Sequence, residues 1–410
     1  MQATRRRHAA VALTVLVALL AVGPGQATAM HTGTGRHALN GPVIIGQVTS
    51  LTGPFSVYGI MEEQGFHLGL EYATHGTMKI DGVPIVVKEF NDASGSSGLP
   101  DPATAVSAAR DAIQSDHAQI LQCCASSASA IAVAGVAAKY KKILMAAPAA
   151  ADALSGINRY TFRASREDTQ DAITGASYAV RQFGKTYMTL AQDYAFGHDQ
   201  AHAWTTQLNR MHAHNAGDVF FPLSATDFTP YIQQIASKKP QWLFVACAGQ
   251  QCLGLWKQLD QQGLLDQIHV MTGLPNIAAI PAFGAAGTKM GFISVYYHTF
   301  PRTIANRYLV QQVQKQYHRA ADIFDQDAFA AAQQLVKAIS RTGSTAASKL
   351  IPALEGQSVD GPKGPYIIRK QDHVCLQPMY IARLVGSKLT PVLVTTKSPE
   401  ATAPPIQAHF

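Results

Sequence analysis

From residue 42 onward the chain alternates short unbroken apolar runs with longer stretches whose apolar positions recur every three or four residues. Residues 42–49 (PVIIGQVT), 83–90, 119–123 and 143–147 are runs of the first kind. Their length and lack of polar alternation predict strands covered on both faces, as in a parallel sheet between helix layers. The stretches between them predict helices with readable starts. Asp101-Pro102 supplies an N-cap and a favourable first helical residue, after which Val106, Ala109 and Ile113 share one face. Ser126 or Ser127 caps a second helix that runs to about Tyr140.

The order then repeats. Residues 187–192, 242–247, 269–272 and 292–296 are further strand runs. Phe228, Tyr231, Ile232 and Ile235 stand at helical spacing, with Lys238 and Lys239 in the last turn, and Leu255, Trp256, Leu259 and Phe329, Leu335, Ile339 mark two more helical faces. Strand-helix alternation in two comparable units predicts an α/β fold of two Rossmann-like lobes, each with a central, mostly parallel sheet, and a cleft between them. Ligands in such sheets lie beyond the carboxyl ends of the strands. Gly361-Pro362-Lys363-Gly364-Pro365 is a turn-rich break before two strand-like runs, 366–369 and 376–385. Residues 396–410, rich in Pro, Ala and Thr, are expected to form a loose tail.

The beginning of the chain changes the picture of where it works. Arg5, Arg6 and Arg7 precede an apolar run over residues 9–22 and then Ala27-Thr28-Ala29, the small-x-small form of a signal-peptidase site. An export leader over residues 1–29 is therefore expected. Its run of about 14 residues makes only about 21 Å of helix against a hydrocarbon core of about 30 Å, so a membrane anchor is not. A place outside the cytoplasmic membrane is expected. Without the three arginines the chain keeps 30 basic and 26 acidic side chains, a net charge of +4 in place of +7, with no long basic run, which excludes nucleic acid as a partner. With 47% hydrophobic and 14% charged residues, the 410-residue chain is neither disordered nor collagen-like nor a coiled coil.

Enzyme signatures are missing: there is no GxSxG elbow, HExxH helix, GxxxxGK[ST] loop or GxGxxG after a strand. No catalytic residue, cofactor or metal is expected. His212 and His214 read as parts of a helix, about 200° apart, where they cannot share one ion. Asp92, Asp101, Asp193 and Asp227 stand at turns or helix starts, where capping accounts for them. The five cysteines, Cys123, Cys124, Cys247, Cys252 and Cys375, show no zinc spacing. Cys123 and Cys124 are not expected to bond each other. Cys247 and Cys252 either close a short loop or, like the rest, stay without chemistry.

Two loops at strand ends stand out. Leu51-Thr52-Gly53-Pro54-Phe55-Ser56-Val57-Tyr58-Gly59 carries Phe55 and Tyr58 where solvent is expected, so the rings either meet a ligand or pack beneath the loop. Cys124-Ala125-Ser126-Ser127-Ala128-Ser129 opens a helix, and its free N–H groups and serine hydroxyls make either an anion site suited to a carboxylate or a plain cap.

In this order these loops resemble the periplasmic solute-binding proteins of the branched-chain amino-acid (Leu/Ile/Val) family, which feed ATP-driven importers. The similarity runs through Ile45-Gly46, Leu51 to Pro54, Tyr58-Gly59, Asn91-Asp92, Asp101-Pro102-Ala103 and Ala108-Ala109-Arg110. It continues through Ala125 to Ser129, Pro148-Ala149-Ala150, Arg159-Tyr160-Thr161-Phe162-Arg163, Asp193-Tyr194-Ala195-Phe196-Gly197 and Thr226-Asp227-Phe228-Thr229-Pro230-Tyr231, covering most of residues 42–385. The resemblance implies two lobes joined by three crossings: 42–162 with about 298–362, and 163–297 with about 363–395. It implies that the lobes shut around one small solute, that the protein works as a monomer, and that its partner is the importer's membrane permease.

Carried over by position, Ser126 and Ser127 would meet a ligand carboxylate, with Ser129 nearby, and Ala149 and Ala150 would offer backbone groups. Tyr58 would wall the pocket with Phe55, and Tyr194 and Phe196 would face it from the second lobe. Three departures bear on the ligand. Ala151 stands where the family has Thr or Ser, Ala246-Cys247-Ala248-Gly249-Gln250-Gln251 replaces a tyrosine contact near Ala248, and Leu274 takes the place of the acid that reads the ammonium. A buried ammonium without an anionic partner costs several kcal/mol. The expected ligand is thus an apolar or aromatic carboxylate lacking a free amino group. The alternatives are a sensory module for a membrane receptor, or a branched-chain amino-acid binder with an altered site; a Ser/His hydrolase lacks any motif pairing the two residues.

Overall fold

The computed structural model describes residues 39, 41–407 and 410. The leader expected over 1–29 lies outside them. The first sheet holds six strands in the order Lys79–Ile80, Val83–Asn91, Val43–Thr49, Ile120–Cys123, Ile143–Ala146 and Thr161–Arg163, parallel except for the hairpin at its edge. The second runs His214–Phe221, Thr186–Gln192, Trp242–Ala246, His269–Gly273, Gly291–Ser294, Met379–Val385 and Thr390–Lys397, the last two antiparallel. This is the expected α/β architecture of two lobes. Ile120–Cys123 and Ile143–Ala146 are buried at every position, which is why their sequences show no alternation.

Helix starts follow their caps. Asp101 Oδ2 accepts from the Thr104 N–H at 2.8 Å, holding the first turn of Pro102–Gln114. Ser126 caps Ser127–Tyr140 through the Ser129 N–H at 3.4 Å. In the first lobe Ser56–Ala73 packs on Asp325–Thr342 at backbone contact: a Cβ on Gly65 would lie 2.3 Å from the Asp325 carbonyl oxygen. Only glycine permits that approach.

The chain passes between the sheets three times: after Thr161–Arg163, after Gly291–Ser294, and after Cys375–Leu376. Several expectations need correction here. Gly364–Ile368 and Cys375–Leu376, expected in the second lobe, pair with Ser358–Gly361 in a small sheet that helix Asp325–Thr342 holds through Gln334 Nε2 to the Tyr366 carbonyl at 2.9 Å. The run at 376–385 is therefore two strands in different sheets. The end of the chain is not loose where it is described. Thr390–Lys397 is an edge strand, and Arg369 donates to the carbonyls of Pro404 (2.6 Å) and Pro405 (3.2 Å) while the Gln407 N–H reaches Asp372 at 3.1 Å. His212 and His214 are not helical, because helix Ala195–Asn209 has ended and His214 opens a strand whose polar start hid it from the pattern.

One cysteine pairing departs from expectation, and the short loop left open for Cys247 and Cys252 is closed. Cys123 and Cys124 are joined to each other, their Cα atoms 3.2 Å apart across a cis peptide. Cys247 is bonded to Cys252, and Cys375 is free and buried. No helix among the described residues is long and apolar enough to cross a membrane.

Candidate functional site

Both sheets reverse their winding direction once, and those reversals position the site. In the first sheet the chain moves from Val43–Thr49 outward to Val83–Asn91 on one side, then to Ile120–Cys123 on the other. The connections leaving adjacent strand ends diverge and leave a crevice. The second sheet does the same between Thr186–Gln192 and Trp242–Ala246. The loops from both crevices meet around a cavity of about 350 Å³. That is within the range of small-molecule sites.

Of the expected site residues, Tyr58, Ser127, Ala150, Tyr194, Phe196, Ala248 and Leu274 are in the cavity wall. The others stand behind it. Phe55 is fully buried and meets Tyr58 edge-on at 5.7 Å, so its ring packs beneath the loop. Ser126 is spent on its cap and Ser129 is buried on the next turn. The Ala149 and Ala151 carbonyls accept from Arg163 Nη2 (2.8 Å) and Nη1 (2.7 Å). The backbone groups expected to stand free are in fact engaged: the N–H groups of Ala150 and Ala151 both donate to Ser127 Oγ at 3.2 Å, and that of Ala149 donates to the Cys124 carbonyl.

Sequence reasoning missed much of the second-lobe wall. Trp256 and Phe283, 4.7 Å apart, line the cavity together with the Cys247–Cys252 disulfide. Trp256 reads as a core residue because a helical face looks the same whether it meets protein or a cavity. Arg166, in the first passage between lobes, also reaches the wall. It follows no periodicity, and its only signal is a charged cluster, Arg163-Ala164-Ser165-Arg166-Glu167-Asp168, between two apolar elements.

Across the cleft, Tyr58 Oη accepts from the Gly249 N–H at 3.1 Å and the Pro54 carbonyl from the Gln250 N–H at 3.0 Å. Burial pushes the Tyr58 phenol up, so it stays neutral. Among the described wall residues there is no Asp or Glu, and Arg166 is the one formal charge. The acids lie behind it. Asp171 Oδ2 sits 3.4 Å from Arg166 Nε and accepts from Gln200 Nε2 at 2.8 Å; Asp168 Oδ1 accepts from the same nitrogen at 2.8 Å. Burial, then the charges of Asp152 and Asp171, push Asp168 well above the ordinary carboxylate range.

Glu167, next to this group, sets a pH response. It accepts from Ser155 Oγ and is pushed up to about 8, first by burial and then by Asp152, against Arg163 and Ser155. Folding thus holds its proton, and the stability it contributes is complete below the ordinary value of 4.5 and is lost as pH rises through about 8. Buried Lys363, pushed down to about 8, works in the opposite sense, so total stability does not isolate the effect. The difference between the parent and Glu167→Gln does. Raising the pH from about 6 to about 9 should lower the parent's Tm by a few degrees relative to the variant in thermal unfolding followed by circular dichroism. A constant gap would show that Glu167 does not titrate there.

Residues 42–388 match the periplasmic binding protein family. The crystal structure of an ABC-type branched-chain amino acid transporter protein from Rhodopseudomonas palustris CGA009 is 35% identical, over 90% of this chain and 100% of that one, with a TM-score of 0.73. A periplasmic binding protein from Burkholderia mallei is 23% identical over 88% and 96% of the two chains, at a TM-score of 0.80. An ABC-transporter solute-binding protein from R. palustris in complex with benzoate is 20% identical over 88% and 97%, at 0.78. The latter two likenesses speak to the fold. None of the curated proteins matches the chain.

Proposed function

This chain belongs to the periplasmic binding protein family, and from that premise we propose that it captures a small organic carboxylate lacking an α-amino group and delivers it to the permease of an ATP-driven importer. The observation that carries the ligand class is the cavity wall without a carboxylate. An α-ammonium entering it would lose its water with no anion to meet, at a cost of several kcal/mol. Leu274 lies in that wall and is apolar, and Trp256, Phe283 and Phe196 suit a ring or an aliphatic body. The solute-binding protein of like fold in complex with benzoate supports this reading.

In this reading the two sheets act as lobes hinged on the three passages, exported by the leader, and the bonds that the Gly249 and Gln250 N–H groups donate to Tyr58 Oη and the Pro54 carbonyl hold them shut over the solute. The 35% identical relative, described as a branched-chain amino acid transporter, favours a second reading in which the same cavity takes leucine or valine through an altered site. Calorimetric titration of the mature protein with benzoate, 4-hydroxybenzoate and leucine separates the two. Binding of an aromatic acid at least about 100-fold tighter than leucine is expected, which corresponds to about 2.8 kcal/mol. The reverse order would replace the first reading by the second.

A further inference from the structure

Arg166 and Arg163 are three residues apart in the first passage, both buried, and they differ in how their donors are used. Arg163 gives hydrogen bonds from both terminal nitrogens: to the Ala151 carbonyl and Ser155 Oγ from Nη1, and to the Ala149 and Arg166 carbonyls from Nη2. It is a tie within the fold. Arg166 makes a single bond, from Nη1 to the Pro148 carbonyl at 3.2 Å. Its Nε faces Asp171 at 3.4 Å without a hydrogen bond, and its Nη2 has no partner among the described residues. Every N–H of a buried guanidinium needs an acceptor, and one left without is costly. This one is 6% exposed, and the surface it keeps is in the cavity wall.

We infer that Arg166 is the residue that reads the ligand's carboxylate, with the Tyr194 hydroxyl beside it, so that the solutes taken are monocarboxylates held at the passage between the lobes. The inference rests on the solute-binding reading above and deepens it.

Three further observations agree. The Tyr194 hydroxyl makes no hydrogen bond among the described residues, lies in the same wall, and is close enough to feel the charge of Arg166. The anion behind Arg166 is already shared, since Asp171 Oδ2 also accepts from Gln200. Asp168, which could have neutralised Arg166, is held toward its uncharged form by burial. An incoming carboxylate therefore finds a buried cation that, although Asp171 and Asp327 act on its charge, keeps hydrogen-bond donors without a partner among the described residues. Around a group so little exposed, charge-assisted and forked hydrogen bonds are stronger than in water. The position also couples binding to movement: Arg166 is in a segment that changes conformation if the lobes open, so its contact with the solute would be completed on closure.

The test compares benzoate with benzamide, its uncharged analogue of the same shape, by calorimetry on the parent protein and on Arg166→Gln, Arg166→Lys and Tyr194→Phe, with circular dichroism to confirm folding. The parent should prefer benzoate by about 30-fold or more, the range of a hydrogen bond to a charged group. Arg166→Gln should bring the two probes to within about threefold. Arg166→Lys, which keeps the charge but loses the fork, should keep part of the preference. Tyr194→Phe, which removes only an unpartnered hydroxyl, should weaken benzoate more than benzamide. If Arg166→Gln does not fold, the parent's ratio and the Lys and Phe variants decide. A parent indifferent to the charge, or a folded Arg166→Gln variant that keeps the preference, overturns the assignment while leaving the solute-binding reading in place. A parent that binds leucine more tightly than benzoate removes the reading of a ligand without an amino group, and the inference with it, while one that binds neither benzoate nor benzamide overturns the assignment.

Discussion

Gly249→Val is expected to weaken solute binding by on the order of a hundredfold or more while leaving each lobe folded. Gly249 has φ of +92°, a conformation that side-chain residues adopt only under strain and β-branched ones least of all. A Cβ there would lie 2.4 Å from Gln251 Oε1 and 2.8 Å from Phe55 Cε2. The Gln251 side chain can swing aside. Phe55 cannot, because it is fully buried in the opposite lobe with Tyr58 against it. The loop would have to retreat, and with it the bond from the Gly249 N–H to Tyr58 Oη. Backbone strain of about 1–3 kcal/mol and overpacking of a similar size together account for a loss on the order of a hundredfold. Titration measures the affinity, and X-ray scattering should show that saturating solute no longer compacts the variant as it does the parent. Parent-like affinity in Gly249→Val would mean that the lobes do not need to meet at this loop.

Gly65→Val should have the largest effect on stability. The contact is between two long helices, and the atoms that a Cβ would strike are the Asp325 carbonyl oxygen at 2.3 Å and its Cα at 2.7 Å, both backbone. No rotamer change relieves that clash. Asp325 is itself held by Arg319 at 2.6 and 2.7 Å and accepts from the Asp322 N–H at 2.7 Å, so this end of the helix is pinned and cannot slide away. The helices must part, exposing apolar surface along the seam. A loss of roughly 3 kcal/mol or more follows, with a fall in Tm of several degrees on thermal unfolding. Because Tyr58 stands on the first turn of the same helix, affinity should fall with it. An unchanged Tm would show that this helix pair has slack which the present packing does not suggest.

The legible parts of this protein are those whose physics repeats along the chain. Buried strands such as Ile143–Ala146 announce themselves because both faces exclude water, and helices such as Pro102–Gln114 because their caps satisfy orphaned N–H groups locally. Edge strands are harder to see. His214–Phe221 and Thr390–Lys397 have open flanks that tolerate polar residues, so no run marks them. The site was half visible for the same reason. Tyr58, Ser127, Tyr194 and Phe196 lie at the helix starts just past recognisable strands, whereas Arg166 lies in a passage with no period at all.

By itself the amino-acid order determined the alternation of strands and helices, and from it the α/β class, the family and the loops that would border a cleft. Those features follow from burial and local hydrogen bonding, which act within a few residues. Only the tertiary structure decided that the serines and alanines of the first lobe satisfy one another, that Trp256 borders a cavity as well as the core, and that Arg166 arrives at the wall with donors to spare. Whether a polar group is spent or free depends on partners brought from distant parts of the chain, and no spacing within the sequence records them.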